Sequence, residues 1–137
     1  MVALNFLGYH TEEMFFKKND AYKQKGKIAL NPELGVEISR YDNNTADISL
    51  SVKIDKEDAP FEVFVKIKGN FSFDQEEGEK QELDFNNMLN INGVAIIYPY
   101  IRALVTNLTS MANEYKPYIL PTINIAQAFM NSKESSE

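Results

Sequence analysis

The chain has 137 residues, 44% of them hydrophobic, with no cysteine, one histidine and a formal net charge of −6. That is the size of one domain with a substantial core. It excludes disulfide and thiol chemistry, and the acidic balance argues against general nucleic-acid binding, which needs a basic surface to neutralise phosphates. No basic, apolar leader follows Met1 and no uncharged apolar run is long enough to cross a bilayer, so a cytoplasmic protein without direct membrane contact is expected. Residues 1–131 are expected to form the single domain, with 132–137 a disordered polar tail.

In chain order, 2–9 alternates as a strand with Val2, Leu4 and Phe6 on one face and Ala3, Leu7 and Tyr9 on the other. Both faces are apolar, which fits a strand that is covered on both sides or that continues a sheet into a neighbouring subunit, and equally a plain internal strand. From Thr11 to Pro32 no clean period is visible, and Met14, Phe15, Phe16 and Tyr22 stand among lysines. This predicts a long connection whose large apolar side chains cover a surface or meet a ligand. Leu34, Val36 and Ile38 then alternate with Gly35, Glu37 and Ser39, and Ala46 to Ile54 alternates in the same way. Asp42-Asn43-Asn44 has the chemistry of a turn between them, and Lys56 to Pro60 closes the next hairpin. Phe61 to Phe73 completes an antiparallel set, with Phe64 among the polar residues of its outer face.

Between Asp74 and Asp84 stand six carboxylates. They suit a solvated loop and a helix start, where acids are favoured; the run lacks the pattern of alternating ligands around a central glycine that a calcium loop needs. After a break at Asn92-Gly93 a helix is predicted, with Pro99 in its first turn. Its apolar stripe is Ile101, Leu104, Val105, Leu108 and Met111 or Ala112. The opposite face carries Ala103, Thr106, Asn107, Thr109 and Ser110, where a solvated helix would show Lys and Glu. This predicts a helix packed on both sides, with Ala103, Thr106, Asn107 and Ser110 against another subunit. Lys116-Pro117 and Leu120-Pro121 make an extended connection, and Ile125 to Asn131 reads as a short final helix. The fold class is therefore α+β, a four-stranded antiparallel sheet with C-terminal helices on one face.

A catalytic constellation is hard to build from this composition. With His10 as the single histidine and no cysteine, nucleophile–imidazole pairs and histidine-rich metal sites cannot form within one chain except around that residue. Neither a phosphate-cradling glycine loop nor a pair of carboxylates in an apolar setting is present. The expectation is a protein that is not an enzyme and needs no cofactor or metal.

Three stretches carry a family resemblance: Tyr98-Pro99-Tyr100-Ile101-Arg102 opening an apolar helix, Leu120-Pro121-Thr122-Ile123-Asn124-Ile125, and Ala128-Phe129-Met130-Asn131. In order and spacing they resemble SecB, the bacterial export chaperone family, as do Leu4-Asn5-Phe6 to Phe15-Phe16 and Gly69-Asn70-Phe71-Ser72-Phe73. The resemblance implies a homotetramer, a dimer of dimers, that holds unfolded polypeptide clients in aromatic and aliphatic grooves without ATP. Candidate client-binding residues are Phe15, Phe16, Tyr22, Phe71, Phe73, Tyr98 and Tyr100, although core packing is the simpler role for Phe71 and Phe73. Where that family carries a carboxylate for docking the translocation motor, this chain reads Val63-Phe64-Val65-Lys66 with Glu62 as the nearest acid. Glu62 and Phe64 are thus the candidates for partner docking. SecB-like proteins also act as dedicated chaperones of an antitoxin, and an adaptor subunit that binds one folded partner is a third reading.

Overall fold

A computed structural model describes residues 3–20, 30, 32–55, 59–112 and 118–120. Its elements are β1 (Leu4–Lys18), β2 (Glu33–Arg40), β3 (Thr45–Ile54), β4 (Phe61–Phe73), α1 (Gln75–Lys80), α2 (Phe85–Met88), a π-helical turn (Leu89–Gly93) and α3 (Val94–Met111). The strands form one antiparallel sheet in the order β1-β4-β3-β2. Alternation decides which side each residue faces. Ile48, Leu50, Val52 and Ile54 of β3 and Val63, Val65, Ile67 and Phe71 of β4 lie on one face and are almost fully buried under the helical segment. Their polar neighbours form the opposite, open face. The β2–β3 turn is held by Asp42, whose Oδ1 accepts from the backbone N–H groups of Asn44 and Thr45, both at 2.7 Å. These bonds keep the Asp42 carboxyl below its ordinary range.

β1 departs from the expected strand 2–9. It continues to Lys18, so Thr11 to Lys18 is strand and not connection. The alternation hides this because register shifts at Phe6/Gly8 and Thr11/Glu13 reverse the facing parity twice. Leu4 and Phe6 face the helix, then Tyr9 and Thr11, then Met14 and Phe16. Gly8 permits the first shift, since its φ of 126° is one that side-chain-bearing residues rarely adopt.

The expected break at Asn92-Gly93 is also absent. Helical backbone runs without interruption from Phe85 to Met111, through the π-helical turn, and Pro99 lies inside α3 rather than in its first turn. At 27 residues this helix is long and apolar enough to cross a membrane, which the sequence reading did not foresee. Its buried row, Ile97, Ile101 and Val105, lies in the protein core. Gly93 sets the approach to the sheet: a Cβ there would lie 2.5 Å from Cδ1 of the fully buried Ile48. Gly93→Ala should therefore destabilise the fold by about 1–3 kcal/mol through overpacking, read as a lower midpoint in urea with unchanged slope; an unchanged midpoint would show that the contact relaxes freely. Asp74 and Asp84 from the acidic run cap α1 and α2, accepting from Glu77 N at 3.2 Å and Asn87 N at 3.3 Å. The expected final helix 125–131, the tail 132–137 and Tyr22 lie outside the described residues.

Candidate functional site

The aromatic side chains divide into a core set and a surface set. Phe71 is 1% exposed and Phe73 is buried, its ring stacked on Phe85 at 4.7 Å between centroids. Tyr98 is buried as well, and desolvation raises its phenol above the ordinary value. These three sequence candidates hold the helix to the sheet and present little surface in this protomer. Tyr100, two residues on, points to the other side of α3 and is 39% exposed.

Around Tyr100 the strand bulge assembles what the sequence did not. Tyr9 lies 4.7 Å from the Tyr100 ring and Phe6 5.7 Å from it, with Phe6 in turn 5.3 Å from Phe71. Plain alternation places Phe6 and Tyr9 on opposite faces; the bulge brings both to the helix side. Further along the same face come Met14, 47% exposed, and Phe16, half-buried with its ring 5.5 Å from Phe61. Tyr9, Tyr100, Met14 and Phe16 thus form an aromatic and thioether strip along β1, an edge strand with no partner on its outer side among the described residues. The lone Gly8 inside a strand pattern was the available signal for it. Phe15 lies elsewhere: adjacent strand residues face opposite ways, so it sits on the open face, cross-strand from Phe64.

The outward face of α3 carries a single charge, Arg102, and is partly occupied. Residues 118–120 return along it, held by Arg102 Nε donating to the Leu120 carbonyl at 2.7 Å and by Thr106 Oγ1 donating to that of Tyr118 at 3.1 Å. Thr109 belongs to the buried side, contrary to expectation: its hydroxyl donates to the Val105 carbonyl at 3.0 Å and accepts from Tyr118 N at 2.8 Å. This continues the row Ile97, Ile101, Val105 at four-residue spacing, leaving Leu104 and Leu108 half-buried and Met111 exposed. Ala103, Asn107 and Ser110 remain exposed, and Ala103 and Asn107 line a shallow groove of about 320 Å³ with Pro99, Arg102, Thr106 and Ile119.

On the open face, Asp47 is a buried carboxylate that accepts from the Tyr41 hydroxyl and from Asn70 Nδ2 at 2.6 Å. The bond to Asp47 raises the Tyr41 phenol above its ordinary value, helped by desolvation. Glu62 and Phe64 are both half-buried on this face, with Lys17 opposite Glu62 in register.

Comparison with known proteins agrees with this architecture. A family model described as preprotein translocase subunit SecB matches residues 11–136. An uncharacterized protein of Methanocaldococcus jannaschii is 33% identical over 142 residues, covering 98% of this chain and 88% of the relative. Among solved structures, a Mycobacterium tuberculosis SecB-like chaperone in complex with a ChAD peptide from the HigA1 antitoxin matches with a TM-score of 0.64 at 17% identity, over 88% of each chain. A Streptococcus agalactiae protein of unknown function matches with a TM-score of 0.51 at 12% identity, over 86% of this chain and 96% of the other. The sheet order, the long covering helix and a family match over nearly the whole length lead to one assignment: the chain belongs to the SecB family.

Proposed function

We propose that this protein is a chaperone of the holdase type, which binds non-native polypeptide segments without ATP. The observation that carries the reading is the strip of Tyr9, Tyr100, Met14 and Phe16, half-exposed along an edge strand. An unfolded client offers apolar side chains and free backbone groups; aromatic and thioether side chains cover the former without reading sequence, and an edge strand can pair the latter. The protein works as a cytoplasmic homotetramer whose halves meet through the α3 face around Ala103, Asn107 and Ser110.

The test is suppression of aggregation of a chemically unfolded client in the absence of nucleotide. Tyr9→Ser with Tyr100→Ser should weaken protection about tenfold, the effect of roughly 1.4 kcal/mol of lost contact, while the circular dichroism spectrum stays the same. Full protection by the double variant would remove the strip from the binding surface. An adaptor subunit would give no protection even in the parent protein.

A dedicated client is the second reading, favoured by the structural neighbour solved with an antitoxin peptide. Phe64 and Lys66 support it from the open face, because an apolar ring and a cation cannot replace the acceptor groups that a donor-rich motor tail needs. Glu62, two residues from Phe64 on the same face, keeps motor docking as the competing role.

A further inference from the structure

The outer half of β1 has a sequence that fits β4 in two registers one residue apart. In the structure Thr11 is in register with Ile67 and Glu13 with Lys66, so Glu12 is the surplus residue of the second bulge. Its Oε1 lies 3.5 Å from Lys68 Nζ and 3.3 Å from His10 Nε2. Removing the bulge moves every following residue one place along β4. The chain accommodates that move because Glu12-Glu13-Met14-Phe15-Phe16-Lys17-Lys18 is built of doublets. Glu12 takes the place of Glu13 opposite Lys66, Phe15 that of Phe16 opposite Val63, and Lys17 that of Lys18 opposite Phe61. A register is firmly specified where a one-residue slip exchanges the apolar face for the polar one, and at these three positions the slip exchanges like for like.

Two positions do not match, and they set the balance. Opposite Val65 the slip exchanges Met14 for Glu13, and opposite Glu62 it exchanges Lys17 for Phe16. It also draws Asn19 from the strand end, where its backbone N–H donates to the Pro60 carbonyl at 2.9 Å and its side-chain amide to that of Ala59 at 3.0 Å. These contacts favour the bulged register. The penalty for leaving it is moderate, because Met14 is already 47% exposed and a carboxylate in its place keeps much of its water. We propose that residues 12–18 form a register switch, in which the bulged pairing exchanges with a minor, bulge-free pairing that carries Met14 to the open face and sets Glu13 in its place on the client strip. The consequence for clients rests on the holdase reading: one register presents a thioether and the other a carboxylate, so a bound apolar client selects the bulged one.

The chain has no cysteine, so engineered pairs report the register without background. Phe15→Cys with Phe64→Cys joins residues that face each other in the bulged register. Met14→Cys with Phe64→Cys joins residues on opposite sides of the sheet in that register, which face each other only in the bulge-free one. Under diamide, with intramolecular disulfide scored by mass after alkylation of the full chain, the first pair should close fully. The second should close at about one-tenth to one-hundredth of that rate, as befits a minor state. Adding Glu13→Met to the second pair restores an apolar side chain opposite Val65 in the bulge-free register and should speed closure about tenfold. Deletion of Glu12 removes the surplus residue and should stop it, and a saturating unfolded, cysteine-free client should slow it severalfold. A second pair that stays open even with Glu13→Met, closure that survives deletion of Glu12, or a client that accelerates closure would overturn the switch. Failure to suppress aggregation would overturn the holdase reading instead, and the comparison of the two pairs would still decide the register.

Discussion

Phe71→Ala is expected to destabilise the protein by about 3–5 kcal/mol, the range for deleting a fully buried aromatic side chain. The ring touches Phe6 on β1, and Gly69 and Gly93 are among its close neighbours, so its removal leaves a cavity between β1, β4 and the helix. For a chain of this size the thermal midpoint should fall by roughly 10–20 °C, measured at fixed protein concentration because an oligomer's midpoint depends on it. Tyr100→Ala makes the contrast. Its ring is 39% exposed, so about 1 kcal/mol of ring contact is lost, and the loss should appear in client protection more than in stability. A Phe71→Ala protein that melts normally yet protects poorly would make Phe71 a contact residue and refute its place in the core.

If the proposed tetramer is built through α3, Ala103→Glu with Asn107→Glu should convert it to a smaller species. Both side chains are exposed in the protomer, and both line the groove beside Ile119. If a second copy covers that groove, two unpaired carboxylates are desolvated at a cost of several kcal/mol, whereas on a solvated helix the like-charge pair costs only about 0.2–0.5 kcal/mol. These positions are preferable to Thr106, whose hydroxyl holds the Tyr118 carbonyl and whose replacement would also loosen the returning segment. Multi-angle light scattering reads the result. An unchanged mass, or a monomeric parent, would remove α3 from the interface.

What was legible in the sequence was local. β2, β3 and β4 follow from strict two-residue alternation, and Phe61–Phe73 is recovered with its bounds because both the preceding turn chemistry and the period are intact. The part of the helix after Pro99 was legible from its apolar stripe, and the shared face of the sheet from which residues alternate inward. β1 was only half legible. Its parity is reversed twice by bulges, and a bulge is a property of the pair of strands, not of one of them, so the register against β4 had to exist before Phe6, Tyr9 and Met14 could be seen to share a face. The helix start was misread for a similar reason: Asn92-Gly93 has the chemistry of a break, but Gly93 serves instead to let the helix approach Ile48.

The sequence by itself thus determined the fold class, the family resemblance and the scarcity of catalytic groups, because composition, period and motif spacing are carried along one chain. Only the tertiary structure decided which aromatic residues are surface and which are core. Phe71 and Tyr100 look alike in a sequence; burial beneath α3 makes one a structural residue, while a bulge on the neighbouring strand sets the other beside Tyr9 at an open edge.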